Sequence, residues 1–403
     1  MSVLIHKDLL GTRHHLRVDR DVQSFQWADC SSHSDWILGS HTDVNSLDCM
    51  LEVFGYDPIS VFPEAQHKAF SEICSGSIPT TIPWHYVLRQ DQFKKHVRRA
   101  VEKAIVSICD FESSGYDQTY KKIRKFLLSL TQPLVDQSRL RSYIEGNDKG
   151  MTVESSLRSF YCRSGKAPRI VYDQAGTATG RLTVKKGPRI LTLPSRYRDI
   201  LKPRPGMELV QIDLVSAEPR TALHVAGKGM EGDVYKQISE SLNLDVPREV
   251  IKVASLSALY GAGHKMLTQK LGNASAAKRL IRQLRLHFGV SRIESQLTLE
   301  MKEKGHITNL FGRKLGTRRD EIQKAYSHFM QSTTSDAALV MFADLTSHIT
   351  NNIDPEFKAV YVIHDALVCE LSKDKKDEIA DASKSIVLES VGNYDSKMTA
   401  ISE

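Results

Sequence analysis

The stretch Tyr361–Glu370, YVIHDALVCE, is apolar and strand-like on both sides of two polar residues, His364 and Asp365. Val360, Tyr361, Val362 and Ile363 lead in, and Leu367, Val368 and Cys369 lead out. Burying even a neutral polar group without a partner costs roughly 2–7 kcal/mol, and a carboxylate costs more. Asp365 therefore sits at an exposed turn or is retained for a purpose. A second aspartate has the same setting. MELVQIDL reads as a strand ending on Asp213, and SAEPRTALHVAG as a helix entered through Ser216. Either aspartate alone is explained as a turn residue or a helix N-cap. Together they suggest more, because two carboxylates side by side repel and one takes up a proton unless cations bridge them. Two Mg²⁺ ions ~3.5–4 Å apart would resolve that conflict and stabilise the attacking and leaving oxygens of a phosphoryl transfer. Substrate phosphates would supply the remaining ligands.

The stretch REVIKVASLSALYGAG places Arg248, Lys252, Leu256 and Tyr260 four residues apart. On a helix each such step turns about 400°, so the four drift slowly around one face. The face begins with two cations and ends with an apolar and an aromatic group, and Gly261 and Gly263 close the helix. It could hold a triphosphate at one end and stack a base at the other. A basic amphipathic helix that packs Leu256 and Tyr260 into a core explains the spacing equally well.

Composition sets the frame. A chain of 403 residues suggests two or three domains at about 150 residues each. It is 41% hydrophobic, enough for a core, yet it has no run of ~18 apolar residues that would cross a membrane. MSVLIHKDLLGTRHH acquires charge too early for a signal peptide. Cys30, Cys49, Cys74, Cys109, Cys162 and Cys369 are scattered without CxxC spacing, which weighs against a zinc site or disulfide framework and fits a reducing compartment. The net charge of +7 is modest, but basic residues cluster. Arg181, Lys185, Lys186, Arg189, Arg196, Arg198, Lys202 and Arg204 fall in one segment, and Lys265, Lys270, Lys278, Arg279, Arg282 and Arg285 in another. Such segments suggest a polyanion partner or a solvated helix face. Residues 1–90 offer no usable motif, and Ser75–Pro83 reads as a linker. Beyond it, Phe93, Val97, Val101, Ile105 and Ile108 share a helical stripe.

Six segments carry a resemblance when taken in order: TATGRL (Thr177–Leu182), DLVSAEPR (Asp213–Arg220), REVIKVASLSALYG, GHITNLFGRK (Gly305–Lys314), MQSTTSD (Met330–Asp336) and VIHDALVCE. From about Arg139 onward the chain resembles the polymerase domain of family A DNA polymerases. The resemblance implies an α+β right-hand fold: a helical thumb at 91–180, an antiparallel-sheet palm at 181–232 and 315–403, and helical fingers at 233–314, with 1–90 as an N-terminal segment. It implies Asp213 and Asp365 as catalytic metal ligands, with the backbone carbonyl of Leu214, and Mg²⁺ (two ions, with Mn²⁺ as a substitute) as cofactor. Arg248, Lys252, Leu256, Tyr260, Glu218 and Tyr235 would face the incoming nucleotide, Glu218 crowding the sugar 2′ position. Arg181, Gln331, His364 and Arg313 would face DNA.

Departures accompany the resemblance. Leu256 replaces a Phe and Ala366 a carboxylate. RILTLP (Arg189–Pro194) stands for NLQNIP, Ser327 for an Asn, Gln323 for an Arg and Tyr235 for a His. The expected function is template-directed DNA synthesis from dNTPs on primer–template DNA, without a proofreading domain. The alternatives are a single-subunit RNA polymerase or primase-like relative, a non-catalytic DNA-binding subunit, and a nuclease. The N-terminal segment is open as a remnant or as the docking surface for a protein partner, and no membrane is expected. The expected setting is the cytoplasm of a bacterial or phage-infected cell, with an organelle or nucleus left open.

Overall fold

The computed structural model describes residues 1–19, 24–29, 34–74, 82–146, 150–229, 232–261, 263–315, 324–388 and 391–401. The chain divides into two compact units, Met1–Arg124 and Lys125–Glu403.

The first unit carries a four-stranded sheet in the spatial order Phe25–Ala28, His15–Asp19, Ser2–Ile5, Trp36–Leu38. The Ser2–Ile5/Trp36–Leu38 pair is parallel and the others antiparallel. Both strands of the parallel pair are buried along their whole length, as expected where both faces are covered. The helix Gln90–Ser113 buries Phe93, Val97, Val101 and Ile108 on one stripe. Its Phe111 packs edge-on against Phe54 (ring centroids 5.0 Å apart) and Trp36 (5.9 Å). This helix therefore belongs to the core of the first unit, and the division falls inside the 91–180 segment expected as one subdomain. Residues 1–90, expected as an N-terminal segment of unknown role, carry the four-stranded sheet. Strands of 3 to 5 residues are too short to show an alternating pattern. The expected linker Ser75–Pro83 lies largely outside the described residues.

The second unit is built on a five-stranded sheet in the order Lys358–Ile363, Ala366–Ser372, Met207–Leu214, Gly392–Ala400, Ser385–Leu388, with every pair antiparallel. Met207–Leu214 runs down the middle, its residues alternating mostly between buried and half-buried. The 28-residue helix Ala325–Asn352 is buried on nearly every side. Small and hydroxylated residues make that tolerable, because their polar atoms find partners. Asn309 donates to Ser332 Oγ (3.0 Å) and Asp336 Oδ2 (2.7 Å), and Thr334 Oγ1 donates to Thr221 Oγ1 (3.0 Å). The helices Val234–Ser241, Arg248–Tyr260, His264–Leu271, Ala274–His287 and Val290–Lys304 share a separate apolar core around Ile251, Ala254, Leu284 and Phe288. The fold is α+β. Among the described residues no helix is long and apolar enough to cross a membrane.

Candidate active site

The two aspartates meet. Ala366 pairs with Asp213 across adjacent strands, and the Leu214 N–H donates to the Asp365 carbonyl at 3.0 Å. Ile363 pairs with Ala366, which leaves His364 and Asp365 as a two-residue hairpin loop. His364 is exposed and left-handed, with φ +57°, a conformation that costs a non-glycine residue roughly 1–2 kcal/mol. Ser216, three residues after Asp213, is left-handed as well, with φ +56°. Strained backbone thus flanks both carboxylates, as is common where geometry serves function. The turn after Asp213 is pinned from below. Buried Arg220 donates to the Val215 carbonyl (3.0 Å) and pairs with Asp395, whose carbonyl accepts from the Val215 N–H at 2.8 Å.

The Asp213 carboxyl is pushed up to about 6, first by burial and then by the neighbouring Asp365 charge; Lys252 and Lys397 pull the other way. Burial disfavours the charged form, and a second carboxylate beside it opposes ionisation further. Beside it lies a cavity of about 320 Å³ lined by Arg181, Glu218, Gln331, Ser335, His364 and Asp365, among others. Arg181 and Glu218 form an ion pair across it. Burial raises the pKa of Glu218, and Asp365 adds to the rise against the opposing pull of Arg181. The hydroxyl of Tyr260 is buried near Glu218 without a hydrogen bond of conventional geometry, and its pKa is raised first by burial and then by that carboxylate.

The helix Arg248–Tyr260 turns its cations outward and its apolar end inward: Arg248 and Lys252 are exposed, Leu256 and Tyr260 half-buried. Gly261 closes it at φ +71°. Arg248 bonds Asp233 at 2.7 Å and lies over the Tyr235 ring, 5.0 Å from its centroid.

The model of DNA polymerase family A matches residues 139–397, most of the chain. The chain belongs to DNA polymerase family A. A DNA polymerase of Mycobacterium phage L5 is 27% identical over 157 residues, which cover 36% of this chain and 26% of that protein. The match thus spans about a quarter of the length of this curated relative. Among solved structures, the POL domain of Pol1 from M. smegmatis, in complex with DNA primer-template and dNTP, aligns over 89% of this chain and 79% of that one, with TM-score 0.58 and 13% identity. At that identity the likeness establishes the fold.

Within this family A chain, Arg181, Glu218, Gln331, His364 and Asp365 line one cavity, whereas the side chains of Arg313 and Tyr235 are buried. Arg313 is only 2% exposed. Its guanidinium pairs with buried Asp336 (3.2 Å) and donates to the Gln174 carbonyl. It also fills the space where a Cβ on Gly180 would sit, and Gly180 has φ +70°. Arg313 thus braces the Thr177–Leu182 loop that presents Arg181, and its guanidinium does not reach an open surface. Tyr235 is only 4% exposed and lies beneath Arg248 as a shelf. The Leu214 side chain is buried and carries no donor atom, so only its backbone carbonyl could serve a cation. The basic segments divide as well. Lys265, Lys270, Lys278, Arg279 and Arg282 are exposed, whereas Arg285 pairs with Glu294 (2.8 Å), Lys202 with Asp136 (2.7 Å), and Arg204 with Glu370 and Glu356. Of the departures, Ser327 is half-buried and bonds the Lys324 carbonyl (2.9 Å), and Gln323 lies outside the described residues.

Lys397 is the residue that sequence inspection misses. It pairs with Asp213 across the strand opposite Ala366. Directly opposed residues share a sheet face at ~4.5–5.5 Å between Cβ atoms, so the row Ala366–Asp213–Lys397 crosses three strands. No motif marks Lys397; only strand register reveals it.

Proposed function

We propose that this chain is a template-directed DNA polymerase that joins dNTPs to a primer 3′-hydroxyl. The observation that carries the proposal is the meeting of Asp213 and Asp365 at a cavity edge, with Lys252 close enough to act on Asp213. The donor set fits a hard divalent cation: two adjacent carboxylates, one of which resists ionising without a counter-charge. Asp213, Asp365 and the Leu214 carbonyl would hold Mg²⁺, or Mn²⁺ in its place. Two bound ions would lower the barrier by stabilising charge on the attacking and leaving oxygens.

The remaining roles belong to the protein's own groups. Arg248 and Lys252 would bind the triphosphate and neutralise the charge that grows on it. Asp233 and Tyr235 would hold Arg248 in place. Leu256 and Tyr260 would form the platform for the new base pair. Glu218, clamped by Arg181, would crowd the sugar 2′ position. Arg181, Gln331 and His364 would face the minor groove and primer end, where acceptors common to all pairs allow shape reading. In this scheme the five-stranded sheet is the palm, the helices of 233–314 are the fingers, and the helices before 181 in the second unit belong to a thumb. The proposal includes action in a bacterial or phage-infected cell, which the phage relative supports.

Primer extension tests the proposal. Wild type should extend a primed template with dNTPs only when Mg²⁺ or Mn²⁺ is present, and Asp365→Asn should bind primer–template but not extend it. Equal use of rNTPs and dNTPs, or binding without extension by wild type, would overturn it.

A further inference from the structure

The unit Met1–Arg124 holds a second constellation of metal-ligand side chains, in a part of the sequence the polymerase motifs do not reach. His41, Cys49 and Glu52 place one ligand atom each within 4.8 Å of the others. Cys49 and Glu52 are three residues apart on the helix Leu47–Phe54, so they share a face. His41 comes from the loop that enters that helix.

We propose that His41, Cys49 and Glu52 bind one transition-metal ion of the Zn²⁺ or Co²⁺ type, through three protein ligands and an open fourth position. The separation of Cys49 Sγ from His41 Nδ1 is 3.6 Å. Zinc bonds of about 2.3 Å to sulfur and about 2.05 Å to nitrogen, set at a tetrahedral angle of about 109°, span an edge of about 3.5 Å. The two ligand atoms thus already stand at the spacing the ion needs. The donor types select the ion as well: a thiol, an imidazole and a carboxylate suit a borderline cation and not Mg²⁺ or Ca²⁺, which take oxygen ligands.

The backbone is organised around this cluster. Arg124, 8% exposed, donates to the His41 carbonyl (2.5 Å) and to the Asp43 carbonyl (3.0 Å), clamping the loop. Ser46 Oγ accepts from the Cys49 N–H (3.2 Å), and Asp48 ties Gly39 to the helix at 2.6 Å. Buried Tyr120 lies close by, its hydroxyl donating to the Ser46 carbonyl at 3.4 Å. Cys49, Glu52 and Asp48 add their charges to the burial that raises its pKa. Cys49 is buried, whereas His41 and Glu52 are exposed, so an ion can enter from solvent and seat on the thiolate. Cysteine spacing misses such a site, since it looks for paired cysteines.

The test uses the full chain carrying Asp213→Asn and Asp365→Asn, which removes the metal ligands proposed for catalysis. After chelator treatment it is titrated with Co²⁺ alone. The expected result is one equivalent bound, with the thiolate-to-cobalt charge-transfer band and the intense visible bands of a four-coordinate ion. Cys49→Ser should abolish the charge-transfer band. His41→Ala and Glu52→Gln alter exposed side chains and should keep the circular dichroism spectrum while weakening Co²⁺ binding by about 10-fold or more. Absence of the band in the parent chain, its persistence in Cys49→Ser, or unchanged affinity in both His41→Ala and Glu52→Gln would overturn the assignment.

Discussion

Replacing Asp213 by Asn should stabilise the metal-free protein while ending catalysis. In the fold the Asp213 carboxyl titrates near pH 6, against 3.8 for the free side chain. At about 1.4 kcal/mol per pKa unit, an ionised Asp213 costs the fold up to about 3 kcal/mol. The group is half-buried, and solvent screening reduces this to roughly 1–2 kcal/mol. The sign follows from linkage: the folded state holds the proton more tightly, so the penalty is absent below pH 3.8, grows as pH rises toward 6, and is constant above. Asn cannot ionise and escapes it. At about 2–4 °C per kcal/mol for a unit of this size, Asp213→Asn should unfold about 2–8 °C above wild type at pH 7.5 in a chelator. Below pH 4 the two proteins should coincide. Saturating Mg²⁺ should reverse the order, because a ligand at a hundred times its Kd adds about 2.7 kcal/mol to wild type and little to the variant. Calorimetry of both proteins across this pH range, with and without Mg²⁺, measures all three effects. A metal-free variant no more stable than wild type at pH 7.5, or a difference that does not grow between pH 4 and 6, would refute the reasoning that burial and Asp365 oppose the ionisation of Asp213.

Three further outcomes follow from the same geometry. Lys397→Met removes a positive charge opposite Asp213 and should lower the Mg²⁺ concentration for half-maximal extension by about 3- to 10-fold at low salt, the scale of one unit charge at such range; an unchanged or higher midpoint places Lys397 outside the metal's field. Arg248→Ala, at the exposed start of the helix, should raise the dNTP KM about 10-fold, whereas Lys252→Ala, beside Asp213, should lower kcat by about 10²–10³; steady-state kinetics giving the opposite ranking would reverse their roles. Gly180→Ala forces a side chain to φ +70° against Arg313, at a backbone cost of roughly 1–2 kcal/mol, and should lower both the Tm and primer–template affinity. Wild-type affinity in that variant would show that Arg313 does not position the Arg181 loop.

Local features were legible in the sequence because they are local. The strand ending near Asp213, the hairpin break at His364 and Asp365, the four-residue spacing from Arg248 to Tyr260 and the glycine stop at Gly261 all follow from periodicity and backbone preference. The order of six short motifs was enough to place the chain in its family. What each charge does was less legible. Arg313 stands in a motif, yet Asp336, Gln174 and Gly180 close around it. Arg204 and Lys202 lie in a basic run but pair with Glu370 and Asp136.

The sequence by itself determined that two aspartates end strands and that one helix face carries two cations followed by an apolar platform. Only the tertiary structure decided that the aspartates are neighbours, that Lys397 and Ala366 flank Asp213, that Arg313 is buried, and that the first 124 residues form a unit of their own. The physical reason is register. A side chain's direction on its own strand is set by residues next to it, but its cross-strand partner is set by how distant segments align. Sliding one strand by a single residue would turn Lys397 to the other face of the sheet.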